Sequence, residues 1–159
     1  MSQRASFQVE QYLLALGERM NIWQAAARDD IGELTAFLDK GADINVTDGN
    51  LDRTPLCCAL LYDHTETAIF LIEKGAALDT QDLLGYTPLH MAVMQSNTRM
   101  VALLLEKGAD VTIEDLSDQP ENALAKAYKY GDKAIVELLK QAYANRCCSG
   151  SFINPASDH

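Results

Sequence analysis

Thr87-Pro88-Leu89-His90-Met91-Ala92 is followed, sixteen residues after its alanine, by Gly108-Ala109-Asp110. Both phrases recur. Thr54-Pro55-Leu56 stands 33 residues upstream of the first, and Gly75-Ala76 stands 33 upstream of the second. Gly41-Ala42-Asp43 lies another 34 residues back. Self-similarity at a fixed period of this length marks a stack of small units, none of which can bury its apolar face alone.

Local chemistry agrees with the period. A threonine hydroxyl accepts a hydrogen bond from a first-turn amide that has no partner within the helix. Proline suits the next position, where its missing N–H costs nothing and its fixed φ already fits. Thr54-Pro55 and Thr87-Pro88 therefore each predict a helix start. A second helix follows in each copy, carrying Ile69, Phe70, Leu71 and Ile72, then Val101, Leu103, Leu104 and Leu105. Gly75 and Gly108 stand where a left-handed residue ends a helix. The Asp-, Asn- and Gly-rich residues beyond them predict a turn leading back to the next Thr-Pro.

Capping, helix stop and period coincide in successive copies, and on these residues the chain resembles the ankyrin repeat family. The resemblance covers about residues 20–142. It implies an all-α repeat solenoid, an ankyrin-repeat stack of helix-turn-helix units with short hairpin-like fingers. Four repeats are expected, at about 20–48, 49–82, 83–115 and 116–146. The outer two depart from the pattern. Counting back from Gly41 puts Met20 in the threonine slot, Ile22 in the leucine slot and Trp23 in the histidine slot, without a Thr-Pro. The last repeat has Pro120-Glu121-Asn122 in place of Thr-Pro-Leu and no glycine after Leu138-Leu139. Its second helix is amphipathic, with Ile135, Leu138, Leu139 and Ala142 opposite Lys133, Glu137 and Lys140. End repeats have one neighbour instead of two, so these two read as caps.

Residues 1–19 place Phe7, Tyr12, Leu13 and Leu16 roughly on one face, which predicts a capping helix over the first repeat. Residues 147–159 show no helical period and read as a loose end or a strap over the last repeat. The chain has 159 residues, 48% of them apolar, enough for one continuous core. No apolar run approaches the ~20 residues that span a membrane, so no stable membrane insertion is expected. The opening residues hold no uninterrupted apolar stretch of the kind a secretory signal carries. Four cysteines come as two adjacent pairs, Cys57-Cys58 and Cys147-Cys148. Neither a metal nor a disulfide framework follows from that spacing, and a reducing, cytoplasmic compartment is the simplest reading. The second pair could carry a lipid, but no polybasic stretch supports it.

The net charge of −10 is unevenly placed. Residues 1–115 hold 8 Lys and Arg against 18 Asp and Glu, whereas residues 116–159 hold 5 of each. Such a surface repels a phosphate backbone, so no nucleic acid is expected, and it steers toward a partner with a basic face. It also serves solubility. Cys57 near Asp63-His64 raises a thiol-dependent enzyme as an alternative. Against it, Cys57 occupies the slot of Trp23 and His90, where side chains pack between units. The resemblance implies that His90 ties neighbouring fingers together. No phosphate loop, dinucleotide fingerprint or zinc-protease motif is present, and neither catalysis nor a cofactor or metal is predicted.

Function is then expected at the surface. In the ankyrin family partners sit on a concave face lined by finger tips and the outer positions of each first helix. Carried onto this chain, the fingers offer Asn50, Leu51 and Arg53, then Leu83, Leu84 and Tyr86, then Leu116 and Gln119. The first helices offer Arg28, Leu61 and Tyr62, Met94 and Gln95, and Tyr128. Several are apolar or aromatic, as binding patches are. Leu83 and Leu84 either face outward or tuck under the next finger. The expected function is an adaptor or inhibitor that binds another protein by occupancy, as a monomer or weak homo-oligomer. A homo-oligomeric structural protein is the other alternative.

Overall fold

Thr54 and Thr87 each stand in extended conformation ahead of a helix, and their hydroxyls accept from the backbone N–H of Cys57 at 3.3 Å and of His90 at 3.4 Å. The computed structural model describes residues 21–130 and 132–149. Among the described residues there are eight helices and no strand: α1 (Ile22–Ala27), α2 (Ile31–Asp39), α3 (Pro55–Leu61), α4 (Thr65–Glu73), α5 (Pro88–Met94), α6 (Thr98–Glu106), α7 (Ala123–Tyr130) and α8 (Lys133–Ser149). They pair as α1 with α2, α3 with α4, α5 with α6 and α7 with α8. The first helices pack in series, α1 on α3 on α5 on α7. Small residues allow that approach: Ala25, Ala59, Ala92 and Ala127 are all fully buried. Around them lie Leu34, Leu56, Leu71, Leu89, Leu104 and Leu139, each sealed from solvent. Burying one such side chain stabilises by roughly 1.5–3 kcal/mol.

The second helices of the first three pairs stop at Gly41, Gly75 and Gly108, with φ of 87°, 90° and 94°. The N–H groups just beyond turn back on the helix, as where Ala76 donates to the Leu71 carbonyl at 3.0 Å. In the last pair Tyr143 takes the glycine's place, and the helix continues through Ser149. Cys147 and Cys148, left outside the last repeat by their lack of helical period, are thus part of α8. The turn between paired helices holds Asp29, Asp63 and Ser96 at φ of 61°, 57° and 53°. Left-handed backbone is costly for these residues. The aspartates gain partners in the next unit: Asp29 accepts from Thr67 Oγ1 at 2.5 Å, and Asp63 from Asn97 Nδ2 at 2.7 Å.

Two register expectations are corrected. The cap of the first repeat is Asn21, one residue beyond the Met20 counted into the threonine slot. Asn21 caps α1 by accepting from Gln24 N–H at 2.9 Å, while the Gln24 side chain accepts from Asn21 N–H at 3.1 Å. In the last repeat the cap is Asn122, which accepts from Ala125 N–H at 3.0 Å, and not Pro120. A longer finger displaces the cap by two residues. The expected capping helix over 1–19 and the expected strap at the far C-terminus lie outside the described residues.

Candidate functional site

Three fingers, between α2 and α3, α4 and α5, and α6 and α7, share one construction. At the base of each an aspartate folds its carboxylate over the loop. Asp48 Oδ1 accepts from the N–H of Asn50, Leu51 and Arg53 at 3.1, 3.0 and 3.2 Å. Asp82 Oδ1 accepts from Leu84 and Tyr86, both at 2.9 Å. Asp115 Oδ1 accepts from Ser117 at 3.3 Å and Glu121 at 3.1 Å. Burial pushes Asp48 up, but its three backbone donors and the nearby Arg53 charge outweigh burial and hold its carboxyl below the ordinary value. The fingers are also joined to one another, with Leu83 N–H donating to the Leu51 carbonyl at 2.9 Å and Leu116 N–H to the Leu84 carbonyl at 3.0 Å. Gly85 sits where the second and third fingers touch. A Cβ there would lie 2.9 Å from the Asp115 carbonyl carbon and closer still to the Leu116 nitrogen.

Enclosed ionic contacts tie finger to finger and finger to helix. Asp82, fully enclosed, faces Arg53 Nε at 3.4 Å. Lys126 of α7 is nearly sealed and places Nζ 2.5 Å from Asp115 and 3.1 Å from Glu121, under the Tyr86 ring at 5.0 Å. Burial raises the Asp115 carboxyl, yet Lys126 and the donors Ser117 and Glu121 hold it far below the ordinary value. Burial lowers Lys126, and its hydrogen bonds to Asp115 and Glu121 more than restore it, leaving it raised.

His90 makes the tie that the resemblance implied. Its Nδ1 accepts from Thr87 N–H at 3.2 Å, so the ring proton is on Nε2, which donates to the Glu121 carbonyl at 3.1 Å. Burial pushes His90 below the ordinary histidine value, against the opposing pull of the Glu121 carbonyl. In the same slot Trp23 Nε1 donates to the Val46 carbonyl at 2.9 Å. Cys57 there is buried beside the Thr54 hydroxyl, 3.3 Å from its Sγ. Burial pushes the Cys57 thiol up, and raises Cys58 to about 12. Burial thus disfavours at both positions the thiolate that the thiol-enzyme alternative needs. His64 donates Nε2 to the Ala27 carbonyl at 2.9 Å and so joins the first two helix pairs. Among the described residues, no group of three His, Cys, Asp or Glu side chains could hold a metal ion.

Five of the surface residues singled out from sequence meet at one place. Arg53, Leu61, Tyr86, Met94 and Gln95 line a cleft of about 80 Å³, together with Met91. Leu83 and Leu84 are 55% and 49% exposed, so they face outward and do not tuck under the next finger. Leu116 at 72% and Tyr62 at 51% are also open. Leu51 is half-buried, and its carbonyl receives Leu83. Arg28 is half-buried at the C-cap of α1, the position that Tyr62 and Gln95 hold in the next two pairs. Tyr86 is not a free aromatic, because its ring is half-buried against Lys126.

Tyr128 is exposed but stands elsewhere. Counting from the caps Thr87 and Asn122, it occupies the place of the buried Val93, whose equivalent is covered by a following unit. No described helix pair follows α7 and α8, so Tyr128 is open at the end of the stack. Tyr130, 47% exposed, holds the position of Tyr62 and Gln95. The two extra residues of the third finger caused the misplacement, and Tyr130-Gly131-Asp132 beside Gln95-Ser96-Asn97 was the signal that could have found it. Met91 was also missed; it stands three residues before Met94, one turn along the same face of α5. A second, more open groove of about 390 Å³ lies between α6 and α8, lined in part by Arg146, whose guanidinium meets Asp110 at 2.7 Å.

Among the described residues no helix is long and apolar enough to cross a membrane. Among curated proteins, no sequence matches this chain. A family model described as ankyrin repeats, in three copies, matches residues 22–115. That span holds the first three helix pairs, the first two aspartate-closed loops, the closing Asp115 of the third, and every residue of the cleft. Proteins built of such repeats generally serve to bind other proteins, and this chain belongs to the ankyrin repeat family.

Proposed function

We propose that the chain holds a partner protein on the face shared by its fingers and first helices, and acts by occupancy as an adaptor or inhibitor. The observation that carries this reading is the cleft at Arg53, Leu61, Tyr86, Met91, Met94 and Gln95, on a chain whose second and third fingers also leave leucines exposed. Apolar side chains left open beside a pocket are the usual makings of a binding centre. The acidic surplus of residues 1–115 favours a partner with a basic surface. Two adjacent, buried, free thiols at Cys57 and Cys58 suit a reducing compartment such as the cytoplasm.

The test is retention of host proteins on the immobilised chain, compared with the double variant Leu84→Asp, Tyr62→Asp. Both positions are open, so the variant keeps its helical melting transition. Loss of the retained partner is expected. A folded variant that retains the same protein equally well refutes the assignment to this face. Self-association through the same face is separated by sedimentation across a wide concentration range, where a persistent monomer is expected.

A further inference from the structure

We infer that the cleft between the second and third first-helices is the seat of one aliphatic side chain, presented by a partner segment that carries lysine or arginine on either side of it. The inference rests on the reading of this face as protein-binding and states what it recognises.

Size sets the first limit. An apolar cavity near 150 Å³ takes a benzene, whereas a water needs roughly 10–15 Å³. At about 80 Å³ this cleft is far larger than a water and about half the closed cavity that takes a benzene. It fits three or four carbons, the branched end of leucine, isoleucine or valine, or the thioether of methionine.

Chemistry sets the second. Leu61, Tyr86, Met91 and Met94 supply the apolar walls. The two polar residues at its edge each have one nitrogen held within the fold: Gln95 Nε2 donates to the Leu61 carbonyl at 2.7 Å, and Arg53 Nε faces Asp82 at 3.4 Å. Four of the six lining residues offer a polar occupant little in exchange for its lost water, whereas an apolar one loses little. Two methionines give walls that adapt to more than one branching pattern.

Charge sets the third. Asp52 adjoins Arg53 at the finger, and Asp63 follows the exposed Tyr62 at the end of α3. Residues 1–115, which include the whole cleft, carry the net −10 of the chain. Basic residues flanking the anchor are drawn to that field, and acidic ones are repelled.

The experiment selects a random dodecapeptide library on the full chain, with counter-selection on Met94→Arg and on Leu61→Arg. These variants block the cleft from α5 and from α3, and unchanged circular-dichroism melts certify each as folded. Wild type should enrich peptides with one Leu, Ile, Val or Met at a fixed position between Lys or Arg residues. Replacing that residue by Ala in the synthesised peptide should weaken binding about tenfold or more. Peptides that bind wild type and both blocked variants equally, or no enrichment at all, overturn the proposal together with the face it rests on. Peptides that lose binding to the blocked variants but tolerate Ala at every aliphatic position overturn the anchor alone and leave the face standing.

Discussion

Lys126 Nζ lies 2.5 Å from the Asp115 carboxylate, with both side chains almost wholly enclosed. An exposed pair of this kind contributes about 0–1 kcal/mol, because solvent screens it. Here neither ion can fall back on water, and removing one partner leaves the other charged and enclosed. Lys126→Met should therefore lower the unfolding free energy by about 3 kcal/mol, measured by urea denaturation at neutral pH. A loss below about 1 kcal/mol would show that Ser117 and the Glu121 N–H suffice to hold Asp115.

Acid should act on the same finger. Asp115 is held below its unfolded value, so at intermediate pH the unfolded chain binds the proton first. The stability it supplies is present above pH 3.8 and is lost as pH falls toward the folded value. His90 has the same sign at a higher pH. Its folded value is depressed below 6.5, so its share is present above that pH and declines beneath it. Denaturation curves of wild type and His90→Gln should run parallel above pH 6.5 and converge below it. Curves that stay parallel down to pH 5 would contradict the role given to the ring.

Gly85 takes φ of 79° and brings the second finger against the third. Gly85→Ala meets both a left-handed backbone and the Leu116 nitrogen, so the fingers must part. A loss of about 1–3 kcal/mol is expected, read by thermal melting. The same change at Gly49, where nothing lies near the added carbon, should cost less, about 1 kcal/mol.

Tyr86 and Leu84 are two residues apart and should behave differently. Leu84→Asp changes an open side chain and should alter stability by no more than about 0.5 kcal/mol. Tyr86→Ala removes a ring that covers Lys126, and should cost about 1–2 kcal/mol. Equal melting temperatures for the two variants would place Tyr86 with the free surface.

Cys57 and Cys58 should be silent to a thiol reagent in the folded chain and react on unfolding, since burial keeps both thiols protonated. The measurement uses Cys147→Ser, Cys148→Ser to leave only the buried pair. Labelling at the rate of a free thiol without denaturant would reopen the case for a reactive site.

Much of this architecture was legible because it is written in local chemistry. Thr54, Thr87 and their prolines fix helix starts from their own φ and hydroxyls, and Gly75 and Gly108 fix the stops. The third finger was not legible in the same way. Its extra length moved the cap from Pro120 to Asn122 and, with it, the outward position from Tyr128 to Tyr130, because a fixed period cannot register an insertion. Leu83 and Leu84 could not be read either, since a leucine at a finger tip is core or surface according to where its neighbour lies. The ion pair of Lys126 with Asp115 joins a finger to a helix and leaves no trace in any short stretch.

The aspartate at the base of each finger spans loops of different length: Arg53 lies five residues beyond Asp48, Tyr86 four beyond Asp82, and Glu121 six beyond Asp115. One aspartate in each finger thus closes loops of three lengths, above first helices that pack in one series. The chain thereby separates what its finger tips present from what keeps it upright. Open tip residues such as Leu83, Leu84 and Leu116 can be exchanged beyond the aspartate while the helical stack beneath goes on standing.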